Sequence, residues 1–156
     1  MEFHKLGLEH IELVRPYFKN CKHRICDCTV GGTFMWRDYF QTNFCIEGDT
    51  LFIRVDNLGG GTAFGTPVGG NLTDGIKKIL EYCAEHNIPP VICMVPEDSL
   101  EEVASLVGGR TETDRAWYDY LYTSEDIKNL AGRKYSGQRN HINKFLKENE
   151  DRKSVV

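Results

Sequence analysis

Apolar residues recur at helical spacing at Leu8, Ile11, Val14 and Phe18, which predicts an amphipathic helix over about 8–19. Cys21–Thr33 is irregular and polar, and Thr33–Tyr39 reads as a second short helix carrying Phe34, Trp36 and Tyr39. Two apolar runs, Asn43–Ile46 and Leu51–Val55, flank Glu47-Gly48-Asp49-Thr50 and predict a β-hairpin. The glycine-rich stretch Asn57–Asn71 predicts a loop, with room for a short strand. Leu72, Ile76, Ile79, Leu80 and Cys83 mark a clear helix, with Asn71 or Thr73 as its cap, ended by Pro89-Pro90. Val91–Val95 is continuously apolar, as a central strand is. A helix begins at Pro96, carries Leu100, Val103, Ala104 and Val107 on one face, and stops at Gly108-Gly109. Arg110–Asp114 and Trp117–Tyr122 read as two further strands. Ser124 caps a short helix through Leu130, and a last helix covers about 137–149.

This order predicts an α/β (α+β) fold with a mixed, mostly antiparallel sheet flanked by helices. The 156 residues suffice for one ordinary domain, and 40% hydrophobic with 27% charged residues is an ordinary globular balance. No run is long and apolar enough to span a bilayer, and the start lacks the basic-then-apolar pattern of a secretory signal. The expected location is cytoplasmic. Six cysteines without an export signal are then expected as reduced thiols.

Charge changes the picture. The net charge of −4 offers no global attraction for nucleic acid or anionic lipid. Residues 133–147, however, hold Arg133, Lys134, Arg139, Lys144 and Lys147 and no acid, which leaves −9 on the rest of the chain. On a helix, Asn140, Asn143, Lys144 and Lys147 share one face, with Ile142, Phe145 and Leu146 as an apolar stripe beside it. Cations beside the N–H groups of a helix start suit phosphate or carboxylate. The competing reading is a solvated basic face. His141 is the one general-base candidate in the string, and Asp119 is a candidate partner for it.

Other chemistry is weaker. Cys21, His23, Cys26 and Cys28 are good zinc-ligand types, but one tight cluster without a second knuckle disfavours tetrahedral binding, and no metal site is expected. Lys22, His23 and Arg24 could activate a neighbouring thiol. The glycines of Asn57–Gly70 match neither a P-loop nor a dinucleotide fingerprint. Trp36, Trp117, Tyr118, Tyr120 and Tyr122 fit core or strand surface better than a stacking platform. No nucleophile elbow is present.

Asp119-Tyr120-Leu121-Tyr122, Leu130-Ala131-Gly132-Arg133-Lys134 and Arg139-Asn140-His141-Ile142-Asn143-Lys144-Phe145 together resemble the signature of the bacterial DUF2156 family. That family is related to the carboxy-terminal domain of phosphatidylglycerol lysyltransferases. Cys28, Phe34-Met35-Trp36-Arg37 and Pro67-Val68-Gly69 look like further landmarks, so the resemblance covers nearly the whole chain. It implies two GNAT-like domains in tandem in a protein about twice this long, with this chain resembling the amino-terminal half. Residues 1–132 would then be one GNAT-like domain, and 133–156 the basic helix and junction to a second. It implies an acyl- or aminoacyl-transferase, with acyl-CoA or aminoacyl-tRNA as donor. The usual GNAT pyrophosphate loop is absent here, and no other cofactor is evident. Lys134, Arg139, Asn140, Asn143 and Lys144 are the expected ligand-binding residues, and His141 the expected catalytic one. The expected partners are an anionic small molecule or aminoacyl-tRNA, and a second GNAT-like domain or another chain. The isolated chain is expected to be inactive. The alternative is a non-catalytic GNAT-like binding or assembly module.

Overall fold

Alternation along the central hairpin organises the structure. β2 (Thr42–Glu47) and β3 (Thr50–Leu58) pair antiparallel, with Phe44 opposite Ile53 and Cys45 opposite Phe52. Successive side chains of a strand point to opposite faces. Phe44, Leu51, Ile53 and Val55 therefore enter one core cluster, and Cys45 and Phe52 another. The computed structural model describes residues 1–19, 21–23 and 25–149. Arg24, and residues 150–156 at the end of the predicted 133–156 segment, lie outside the described residues.

Five strands form one sheet in the order β1-β2-β3-β4-β5, with β1 at His4–Lys5, β4 at Gly61–Gly65 and β5 at Ile92–Cys93. All neighbours are antiparallel except β4 and β5, which are parallel. The first cluster is closed by Val14 and Phe18 of α1 (Ile11–Lys19) and by Phe34 of α2 (Val30–Met35). The second is closed by Ile76, Ile79, Tyr82 and Cys83 of α3 (Leu72–His86) and by Val103 of α4 (Leu100–Val107). This is the expected α+β class: a mostly antiparallel sheet with helices on both faces.

Local chemistry sets the helix ends. The Thr29 hydroxyl accepts from the Gly32 N–H at 3.0 Å, so α2 starts earlier than the aromatic spacing implied. Asn71 caps α3 by accepting from the Asp74 N–H at 3.0 Å. Gly108, at φ 68, ends α4 in the left-handed conformation that suits glycine.

The chain divides into two compact units, Met1–Arg115 and Ala116–Val156. The sheet and both clusters belong to the first. The second contains α5 (Ser124–Asn129) and α6 (Ser136–Glu148). The strands expected at Arg110–Asp114 and Trp117–Tyr122 are not formed among the described residues. Strand propensity measures how well a side chain fits an existing sheet surface, and a ladder needs a partner edge. Neither segment pairs with a strand among the described residues, and Tyr120 and Leu121 stay 88% and 93% exposed.

Candidate functional site

The basic segment begins where α5 ends. The Thr123 hydroxyl, rather than Ser124, caps α5 by accepting from the Asp126 N–H at 3.1 Å. Leu130 closes the helix in the left-handed region at φ 46, with its N–H donating to the Asp126 carbonyl at 2.8 Å. The chain then passes Gly132 at φ 84, a value natural only to glycine. One tight turn, Arg133–Tyr135, leads into α6. Tyr135 is the one buried residue among the described residues of this unit, so polar contacts hold the corner.

Two of the expected binding cations supply those contacts. The Lys134 ammonium lies 3.2 Å from Asp126 and 4.7 Å from the centre of the Tyr135 ring. Hydrogen bonding to Lys134 holds the Asp126 carboxyl below its ordinary pKa, and the same bond raises that of Lys134. Arg139 reaches back with Nη1 to donate to the carbonyls of Leu130 and Gly132, the latter at 2.8 Å. Those oxygens belong to the residues where the chain leaves α5, so the cation sits where a helix terminus accepts one.

The others point outward. Asn140, Asn143 and Lys144 are exposed on α6, as is Lys147. The Lys144 ammonium approaches Glu148 at 3.9 Å, a loose pair within one turn. The side chains of Asn140 and Asn143 have no hydrogen-bond partner among the described residues. His141 is exposed beside them, and no described carboxylate is paired with it, Asp119 included. Ile142, Phe145 and Leu146, the expected apolar stripe, are 45%, 53% and 52% exposed.

The first unit holds two hollows that the sequence did not suggest. One, of about 400 Å³, is lined by Lys5, Asp38, Gln41, Asn43 and Asp56. Asp56 at its wall accepts from Asn43 at 2.8 Å, Arg54 at 2.9 Å and Thr62 at 3.1 Å. The only sequence signal was polar residues at alternate positions of an apolar hairpin, Arg54 and Asp56 with Asn43 opposite. The other, of about 410 Å³, is lined by His23, Ile25, Pro96, Glu97 and Asp98, with His23 3.6 Å from Asp98.

All six cysteines are free. Among the described residues no three His, Cys, Asp or Glu side chains are grouped so as to hold a metal ion. Burial, then a hydrogen bond with Cys21, pushes the Cys28 thiol up to about 12. Burial first, and then the nearby Asp27 carboxylate, raise Cys93 to about 12. Such thiols are poor nucleophiles at neutral pH.

A family model described as phosphatidylglycerol lysyltransferase, C-terminal, matches residues 18–152. The chain belongs to this family. It is also similar to the crystal structure of a conserved protein of unknown function from Bacteroides thetaiotaomicron VPI-5482, with a TM-score of 0.76 and 26% identity over 95% of this chain and 51% of that one. The chain thus spans about half the length of that protein. No curated protein matches it. The family match runs through both units and includes the whole of α6, so the basic helix is part of the family's domain. No helix among the described residues is long and apolar enough to cross a membrane.

Proposed function

We propose that this lysyltransferase-family chain serves acyl or aminoacyl transfer by holding an anionic donor, aminoacyl-tRNA in the first instance, on the outer face of α6. One observation carries the reading: Asn140 and Asn143 present amides without a hydrogen-bond partner among the described residues, beside Lys144 and Lys147 on an exposed helix face. Solvation needs charge, but it does not need two asparagines, which are mediocre helix formers. Amides and ammonium groups together satisfy phosphate oxygens with directional and charge-assisted bonds. A GNAT-like fold with acyl-CoA as the alternative donor belongs to the same proposal, as does a cytoplasmic setting.

In transfer, an amine or hydroxyl attacks the activated carbonyl, and rate comes from positioning and from stabilising the oxyanion. His141 is the base candidate on this helix, but no partner among the described residues fixes its ring. The chain by itself is therefore expected to bind without turning over.

The test is titration of the purified chain with tRNA, and separately with a phosphorylated small molecule. The unaltered protein is compared with the triple variant Asn140→Ala, Asn143→Ala, Lys144→Ala. All three side chains are exposed, so the fold should survive. Binding should weaken by at least about tenfold, the equivalent of 1.4 kcal/mol. Equal binding by both proteins would make the face a solvated surface.

The exposure of Ile142, Phe145 and Leu146 favours a second reading, a non-catalytic assembly module that docks a further GNAT-like domain or another chain. Aminoacyl transfer by the purified chain would exclude it. A shift in sedimentation that disappears in Phe145→Ser would support it.

A further inference from the structure

We propose that Arg139 is a positioning residue: it sets the direction in which α6 presents the Asn140–Lys147 face and does not itself contact the ligand. This rests on the reading of that face as an anion site.

α6 starts without a side-chain cap, since Tyr135 at its N-terminal boundary makes no capping bond. Tyr135 is also the one buried residue among the described residues of the unit, so hydrophobic packing leaves the direction of α6 weakly fixed. Leu130 and Gly132 both sit at positive φ, and the turn between them directs two carbonyls at the first turns of α6. One nitrogen of Arg139 donates to both. Removing the guanidinium takes the Arg139 donor from the Leu130 carbonyl, leaves the Gly132 carbonyl with only the longer bond from the Tyr135 N–H at 3.4 Å, and cuts the side-chain tie from α6 to the end of α5. Lys134 makes a second, looser tie through Asp126. The string thus divides in two. Lys134 and Arg139 brace the corner, and Asn140, Asn143, Lys144 and Lys147 face outward.

Salt dependence separates a brace from a contact. Each cation that touches a phosphate steepens the fall of tRNA affinity with salt by about one unit on a log–log plot. Binding of tRNA is measured from low to moderate salt for the full chain and for Arg139→Ala, Arg139→Gln and Lys144→Ala. Amide hydrogen exchange is followed on the same proteins. Lys144→Ala should lower the slope by about one. Arg139→Ala should weaken binding about tenfold with the slope unchanged, and should speed exchange in residues 130–148. Arg139→Gln loses the charge but keeps an amide that donates to carbonyls, so it should recover part of both losses.

A slope lowered by about one in both Arg139 variants, with exchange unchanged, would make Arg139 a ligand contact and overturn the proposal. If the unaltered chain binds no tRNA, the anion reading of α6 falls separately. Exchange then decides the brace: acceleration confined to 130–148 supports it, and unchanged rates refute it.

Discussion

Cys28 and Cys93 show what burial does to a single group. Both thiols are shifted up to about 12, chiefly because desolvation penalises the thiolate. The unfolded chain releases those protons near the ordinary thiol pKa of about 8.5, whereas the folded chain holds them to about 12. The stabilisation is complete below about pH 8.5 and is lost as pH rises through the folded values. Thermal melts should therefore fall in midpoint from pH 8 to pH 11, and a Cys28→Ser, Cys93→Ala variant should show a shallower fall. A parallel decline in both proteins would place the alkaline sensitivity elsewhere. The site is legible at this scale only in part. Charge segregation in residues 133–147 and the shared face of Asn140, Asn143 and Lys144 follow from spacing alone. The use of Arg139 on two carbonyls does not, because those carbonyls acquire their direction from the left-handed turn at Leu130, which no residue type announces. The Asp56 network was hidden for a similar reason: its donors Asn43, Arg54 and Thr62 come from three strands that only the sheet brings together.

Among the elements, legibility follows the strength of the local signal. The hairpin was visible because two apolar runs flank a Gly-Asp turn, and α3 because fifteen residues keep one apolar face. The two-residue strand β1 left no pattern to read, and β4 was submerged in glycine. Trp117–Tyr122 carried the opposite error: strong strand composition, but no ladder among the described residues. Caps are where sequence chemistry and structure meet most directly. Asn71 accepts from the Asp74 N–H at 3.0 Å and satisfies one of the four donors that the start of α3 would otherwise leave open. Asn71→Ala should destabilise the protein by about 1 kcal/mol. In urea titrations the midpoint should fall with the slope unchanged, since the surface exposed on unfolding stays the same. An unchanged midpoint would mean that water replaces the cap at no cost.

For the whole molecule, the two units differ in what holds them. Among the described residues, every buried hydrophobic residue except Tyr135 lies before Ala116, and so do the five strands. The first unit buries apolar side chains on both faces of its sheet, which is the usual requirement for an independently folding domain of roughly 100 residues. In the second, one ion pair, Lys134 with Asp126, and the carbonyl bonds of Arg139 brace the corner between α5 and α6, and several large apolar side chains remain exposed. Surface ion pairs contribute little each, so this unit has little of its own to set against the entropy of ordering it. A fragment ending at Arg115 should therefore fold. It should give a single cooperative thermal transition and dispersed amide resonances that overlay those of the same residues in the full chain. A fragment without a cooperative transition would show that the sheet depends on residues after Arg115.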